Sequence, residues 1–440
     1  MKYANELTAG WGNHPKKQSR VFRPQSLSEL KDAITGNKHI LAFGNRKSYG
    51  DSSLCENSID MRSLNRIISF DGKEGTIEAE AGLLISDLLK AIVPRGFFVK
   101  VTPGTKYITL GGAISSNVHG KNHHALGSFD KSLISFTIML ASGEMVEVSR
   151  EKNSDLFYSA IAGYGLLGVI YSAKISLRSI KSRKINAVTY KEKNIDSLFE
   201  KTSSSDKDYE YTVSWIDTFT RGKSFGRGVI TAGNFSEKEF LKGKEKKAIP
   251  IPIYFPSFLV NYITLGLFNK LYYAINSKGK KTTDYDKFFY PLDGILNWNK
   301  VYGRKGFIQY QFSVSEENAL KSIIEVLKQM QKMRMPSFLT VLKKYSEDDN
   351  NILLNFPKKG FTLALDFQMT KKTPILIQSL NRIIEKYDGR LYLTKESYMT
   401  KDFFEKTYGK ERIEKWKEIK KKYDPDNKFT SLQAQRLGLS

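Results

Sequence analysis

A chain of 440 residues is long for one hydrophobic core and predicts two domains. Its 40% hydrophobic and 12% aromatic content excludes a disordered polypeptide, and its single cysteine, Cys55, excludes an internal disulfide, a Cys-x-x-Cys redox pair and a thiolate zinc cage. The net charge of +24 calls for an anionic partner, yet the basic residues are mostly lysine and spread along the chain, without an arginine-rich arm or zinc-finger spacing, so no nucleic-acid partner is expected.

Residues 1–24 are polar and lack the apolar stretch of a signal peptide, which predicts a cytoplasmic protein. Residues 26–35 predict a capped helix with apolar Leu27, Leu30 and Ile34. A strand over 39–43 runs into Gly44-Asn45-Arg46-Lys47-Ser48-Tyr49-Gly50-Asp51, a glycine loop with exposed N–H groups and two cations, suited to cradling a pyrophosphate. It is not a Walker loop, because the Gly-x-x-x-x-Gly-Lys-[Ser/Thr] order is absent. Residues 67–70 and 76–81 predict paired strands, 83–92 an amphipathic helix, and 98–101 a strand ahead of the turn Pro103-Gly104-Thr105.

Residues 109–129 hold three of the five histidines, His119, His123 and His124, among Gly111, Gly112, Ala113, Ser115, Ser116, Asn117, Gly120 and Asn122. Such small or polar side chains bury little apolar area but let backbone N–H groups approach a polar ligand, and Lys121 makes that ligand anionic. A glycine patch for helix packing explains the glycines but not the clustered histidines. His119 and His123 have a metal-compatible spacing, but Gly120 and the lack of an adjacent acidic ligand argue against a metal. Residues 135–140 and 145–148 predict a hairpin, 154–162 a helix and 168–177 a strand. Between the last two, Gly163-Tyr164-Gly165-Leu166-Leu167-Gly168 fits Gly-x-Gly-x-x-Gly, but with the helix before it and the strand after it, which reverses the dinucleotide fingerprint. These glycines can still line a ligand.

From about residue 182 lysine and aromatic residues increase, marking a domain boundary. Residues 209–216, 225–231 and 307–312 alternate like strands of a half-covered antiparallel sheet, the last with Gln309 and Gln311 on one face and aromatics on the other. Residues 248–268 carry no charge and are flanked by Lys246, Lys247 and Lys270. Pro250, Pro252, Pro256 and Asn261 argue against a membrane span. Two readings stay open: a mobile apolar loop over the active site or on a membrane surface, and an ordinary buried loop-and-helix insertion. Residues 316–333 and 374–387 predict helices, and 338–344 and 361–367 predict strands bearing Lys343 and Asp366. Residues 389–395 then lead the chain back to the first domain.

The loop 44–51, the Pro103-Gly104-Thr105 turn, the Gly-Gly-Ala-Ile…His-Gly-Lys-Asn-His-His run and the 163–168 stretch occur in this order. Together they resemble the FAD domain of the vanillyl-alcohol oxidase / p-cresol methylhydroxylase (PCMH) superfamily, and Ser-Tyr-Gly-Asp with the histidine run resembles its decaprenylphosphoryl-β-D-ribose 2′-oxidase branch. The resemblance implies an α+β fold. A PCMH-type FAD-binding domain of two subdomains is expected over 1–182, a substrate domain with a mainly antiparallel sheet flanked by helices over 183–389, an apolar lid over 236–283, and a segment 390–440 completing the FAD domain. It implies FAD contacts from Gly44, Asn45, Arg46, Lys47, Ser48, Tyr49, Gly50, Pro103, Gly104, Thr105, Gly111, Gly112, Ser116, Asn117, His119, Gly120, Asn122, Gly168, Ile170 and Tyr392. The flavin is expected to be non-covalent, because Lys47 stands where related sugar oxidases carry the flavin-linking histidine.

The resemblance also places Lys395, after the Gly-Arg-Leu-Tyr run, nearest flavin and sugar as the catalytic residue, with His119 and Tyr49 beside it. Lys121, Gln309, Gln311, Lys343, Asp366 and Lys395 are the expected substrate contacts, with Asp366 orienting His119 or the sugar. The implied reaction is oxidation of the 2′-hydroxyl of a polyprenylphosphoryl-β-D-ribofuranose to the 2′-keto sugar. A separate NAD(P)H-dependent reductase would complete epimerisation to the arabinose form for cell-envelope glycan, with peripheral membrane contact by the oxidase. The alternatives are an alditol or aldonolactone oxidase on the same fold, and a non-catalytic basic protein that binds membrane or nucleic acid.

Overall fold

The computed structural model describes residues 2–243, 247–337, 339–347 and 349–440. Lys246, Phe338 and residues 244–246 of the expected lid lie outside the described residues. The N-terminal part is built on two sheets. Strands β1 (Tyr3–Ala9), β2 (Lys16–Phe22), β3 (Leu41–Phe43) and β4 (Asn57–Asp60) form the first in the order β1-β2-β4-β3, with β1 and β2 antiparallel and the rest parallel. The β1–β2 hairpin has no counterpart in the sequence reading, because its exposed positions erase the apolar alternation that marks a strand. Ser26 caps the helix Leu27–Thr35, which buries Leu30, Ala33 and Ile34; Leu27, at its first turn, is exposed instead.

The second sheet contains β5 (Ile67–Asp71), β6 (Thr76–Glu80), β7 (Phe97–Val99), β8 (Leu133–Met139), β9 (Met145–Ser149) and β10 (Val169–Ser179). Its order is β5-β6-β10-β8-β9, with β7 also on β10, and every pair is antiparallel. The helix Ile85–Ile92 buries Ile85, Leu88, Leu89 and Ile92, an apolar stripe at helical spacing. Thr109 Oγ1 accepts from Gly112 N and so caps the helix Leu110–Ser115. The 163–168 glycine stretch follows the helix Ser154–Ala160 and precedes β10, the reverse of a Rossmann turn.

Beyond it the chain forms β11 (Lys184–Glu192), β12 (Tyr211–Ile216), β13 (Gly228–Phe235), β14 (Ile249–Pro250), β15 (Gly279–Asp284), β16 (Ile295–Leu296), β17 (Phe307–Ser315), β18 (Thr340–Tyr345), β19 (Gly360–Gln368) and β20 (Arg390–Leu391). Eight of these make one antiparallel sheet, β15-β11-β13-β12-β18-β19-β17-β20, while β14 and β16 pair in parallel by themselves. The helices Ile195–Asp208 and Glu316–Met333 pack on the large sheet, and Thr373–Lys386 packs on Glu316–Met333. The fold is therefore mixed α/β, with antiparallel sheets and helices. Residues 390–391 close the large sheet beside β17.

Two local expectations change. On β17, Tyr310 and Phe312 do face away from the amides, but Phe307 shares their face by the two-residue period and packs edge-on against Tyr49. The apolar segment is part loop and part helix, and it is exposed rather than buried. It contributes β14, a short turn over Ser257–Leu259 and the helix Tyr262–Ile275, with Ile249, Phe258, Ile263 and Ile275 exposed by 72%, 74%, 80% and 74%. Among the described residues no helix is long and apolar enough to cross a membrane.

Candidate active site

One cleft runs between the N-terminal loops and the face of the large sheet, with ≈ 1940 Å³ of empty space continuous with solvent. Its first wall is largely main chain: Gly44 to Tyr49, Pro103 to Thr105, Gly111, Gly112, Ser116, Gly165 and Gly168. Arg46 sits in left-handed backbone at φ 47°, and among the described residues no protein acceptor takes the backbone N–H of Arg46, Lys47 or Ser48. Unpaired N–H groups in such a turn form an anion-binding concavity. Space here is tight, since a Cβ on Gly44 would overlap the Thr109 side chain and one on Gly111 would lie 3.0 Å from Ala81 Cβ. Arg46 stacks 3.8 Å from the Phe43 ring centroid and Lys47 Nζ 3.2 Å from that of Trp11. Burial lowers Lys47 to about 8 and Arg46 to about 10.

The second wall is side chain. Gln309 and Gln311 on β17, Val341 and Lys343 on β18 and Ala364 on β19 all point into the cleft, because alternate positions of neighbouring strands share a face. Lys343 Nζ lies 3.2 Å from His119 Nδ1, and Gln311 Nε2 lies 3.1 Å from His119 Nε2. Burial, then the Lys343 charge, holds His119 well below its usual range, so the ring is neutral. A neutral imidazole has one lone pair, so only one of the Lys343 and Gln311 nitrogens donates to it, the tautomer deciding which.

Lys395 enters on the turn after β20. Tyr392 N donates to Gln311 O (3.0 Å), Lys395 N to Tyr392 O (2.9 Å) and Tyr49 N to Thr394 O (2.9 Å), so the turn is tied to both walls. Arg436 clips it further, with Nη2 2.8 Å from Asp51 Oδ1 and 3.0 Å from Glu396 Oε1. Lys395 Nζ hangs 3.9 Å from the Tyr49 ring centroid, and burial lowers it to about 7 despite the opposing pull of Asp366. Burial likewise raises Asp366 to about 7, while Gln309 Nε2 donates to its Oδ1 at 2.7 Å and Tyr302 OH to Oδ2 at 3.4 Å.

Of the expected site residues, Gly44, Asn45, Arg46, Lys47, Ser48, Tyr49, Pro103, Gly104, Thr105, Gly111, Gly112, Ser116, His119, Gly168, Ile170, Gln309, Gln311, Lys343, Tyr392 and Lys395 line the cleft. Six do not. Gly50 is pressed against the Glu396 carbonyl, Gly120 against Asn122 and Thr102, Asn117 bonds to Asp130 and Asn355, and Asn122 bonds to Lys100 O. Lys121 is buried away from the cleft, its amine on Phe288 O and its pKa lowered by burial to about 7. Asp366 shares the side of β19 that carries Ala364 but is buried beneath its neighbours, and it positions Gln309 rather than His119. His123 and His124 are structural too: His123 packs on Tyr345 at a tilt with Nε2 3.1 Å from Ser128 Oγ, and His124 meets Tyr209 O.

The sequence reading missed Trp11, Asp293 and Trp298, which also line the cleft. Asp293 is raised by burial to about 6 and accepts from Lys106 N at 2.8 Å. No local pattern marks any of the three; they arrive from segments distant in sequence.

Residues 19–149 match the model of an FAD binding domain, and residues 304–437 match that of D-arabinono-1,4-lactone oxidase. The chain is 31% identical to the decaprenylphosphoryl-β-D-ribose oxidase of Mycolicibacterium smegmatis, over 98% of this chain and 97% of that protein. The chain belongs to the decaprenylphosphoryl-β-D-ribose oxidase family. It is 26% identical over 80% of its length to an uncharacterised Streptomyces coelicolor protein, 99% of which is covered, and 27% identical over 35% to mouse L-gulonolactone oxidase, 36% of which is covered. Members of this family are FAD-dependent oxidoreductases, and membership sets aside a non-catalytic basic protein. The first wall suits FAD chemically: unpaired N–H groups and two cations for the pyrophosphate, with glycines where side chains would block a close approach.

Proposed function

We propose that this protein oxidises the 2′-hydroxyl of a polyprenylphosphoryl-β-D-ribofuranose to the 2′-keto sugar. One observation carries the reading: Lys395, Lys343, His119 and two glutamines converge on one side of a cleft whose other side is backbone, in a chain matched nearly end to end by a decaprenylphosphoryl ribose oxidase. When bound, FAD would supply the hydride acceptor for the carbinol carbon. The residues 44–49, 103–105 and 111–116 would hold it, Arg46 and Lys47 supplying positive charge for its pyrophosphate, and Gly168, Ile170 and Tyr392 would complete the contacts. Lys47 offers an amine instead of an imidazole, so the flavin is non-covalent and acid precipitation releases it to the supernatant. The cofactor-binding part consists of two subdomains, one on each of the N-terminal sheets.

Gln309, held by Asp366, and Gln311, held by His119, orient the sugar hydroxyls. Lys343 stabilises an anionic group of the substrate. Lys395 Nζ, its pKa brought to about 7 by burial, takes the hydroxyl proton, and the negative charge of Asp366 favours the resulting ammonium. Tyr49 packs beneath that amine and keeps water from it. A separate NAD(P)H-dependent reductase then delivers the arabinose form, and the oxidase works peripherally at a membrane, where its substrate resides.

The match of residues 304–437 favours an aldonolactone oxidase as the second reading. Incubation of the FAD-loaded protein with polyprenylphosphoryl ribose, ribitol and L-gulono-1,4-lactone, each followed by borodeuteride, separates the two. Deuterium at C2 of ribo- and arabino-phosphate products supports the proposal; turnover of the lactone or polyol alone refutes it.

A further inference from the structure

The helix Tyr262–Ile275 is attached to the protein by one side. Asn269 is buried and donates to Asp217 Oδ1 at 3.1 Å, Tyr272 packs on Trp215 with centroids 4.7 Å apart, and Tyr262 lies 5.0 Å from Phe219. The opposite side carries Ile263, Leu267, Leu271 and Ile275, four residues apart, exposed by 80%, 58%, 53% and 74%. A helix on a water-facing surface turns its polar side outward. This helix turns an unbroken apolar stripe outward, and Phe258 and Ile253 extend it at 74% and 68% exposure.

The charges of the segment that carries the stripe have one sign. From residue 247 to 283 there are five lysines, Lys247, Lys270, Lys278, Lys280 and Lys281, all exposed, and not one aspartate or glutamate. A second copy of this chain docked by two-fold symmetry would bring these lysines together. An anionic bilayer would neutralise them while covering the stripe. At 14 residues the helix spans roughly 21 Å, short of the ~30 Å hydrocarbon layer, so it lies along the interface. The segment also borders the cleft, because β14 pairs with β16, whose Ile295 and Leu296 line it, and Lys300 Nζ donates to Pro252 O at 2.8 Å.

We propose that the outward stripe of this helix, with the adjoining 253–259 turn, is a docking surface for a bilayer containing anionic phospholipid. The apolar side chains sit at the headgroup boundary with the lysines among the phosphates, and the cleft opens beside the membrane. The use of that opening by a lipid-linked sugar rests on the proposed function; the docking surface does not.

The test is flotation of the FAD-loaded full chain with vesicles of equal phosphatidylglycerol and phosphatidylcholine, against vesicles of phosphatidylcholine alone. The protein should float with the anionic vesicles and be released by high salt, and the double variant Ile263→Glu/Leu267→Glu should partition at least about ten-fold less. Its flavin absorption and circular dichroism should match the parent, which excludes misfolding. Absence of flotation on anionic vesicles, or equal flotation of the variant, would overturn the proposal, as would a parent dimer that the variant dissolves while neither floats. Because vesicle binding needs no turnover, failure of the substrate reading leaves these outcomes unchanged.

Discussion

The two walls of the cleft are built by different means. On the N-terminal wall, glycines, a left-handed Arg46 and free backbone N–H groups present a fixed surface, and the titratable groups Arg46 and Lys47 rest on aromatic rings. On the sheet wall the groups are side chains in a buried network, where Lys395 and Asp366 are both driven to about 7 and His119 is kept neutral. A cofactor of constant shape can be gripped by main chain, whose geometry the fold fixes. A reacting hydroxyl needs proton-exchanging groups, whose pKa values only burial and close partners can set.

Substitutions on one wall should therefore affect turnover and those on the other cofactor retention. Lys395→Ala should lower kcat by about 10²–10⁴ with FAD still bound, as measured by stopped-flow reduction. A Cβ at Gly50 would overlap the Glu396 carbonyl at the seam between the walls. Gly50→Ala should accordingly cost about 1–3 kcal/mol in chemical denaturation and release FAD on gel filtration.

Asp366→Asn should lower kcat/KM about ten-fold and also move its pH dependence. With Lys395 as base, kcat/KM of the parent rises as pH increases through about 7. Since the Asp366 charge raises Lys395, the variant's rise should shift to lower pH; a rise at unchanged pH would detach Asp366 from the base. The smallest effect concerns the cofactor wall. FAD affinity, followed by fluorescence quenching, should weaken a few-fold as pH rises past about 8 and Lys47 loses its proton.

The same contrast explains what the sequence revealed. The backbone wall was legible because glycines, Pro103 and Arg46-Lys47 lie in short consecutive runs. The period of β17 and the apolar stripe of Glu316–Met333 were equally local. Asp366 behind Gln309, Asp293 over Lys106, and the Asp51–Arg436–Glu396 clip depend on chain segments brought together only by folding. The histidine cluster misled in part: three residues within six positions diverge once Asn122 begins a new helical turn, leaving His119 alone in the cleft.

The most direct test is anaerobic titration of the purified, FAD-loaded protein with polyprenylphosphoryl-β-D-ribofuranose, followed by visible absorption. The two-wall arrangement predicts a yellow protein whose flavin absorption bleaches with one equivalent of this substrate. A colourless chain that takes up no FAD from excess, or a flavin spectrum that stays unchanged at saturating substrate, would contradict it.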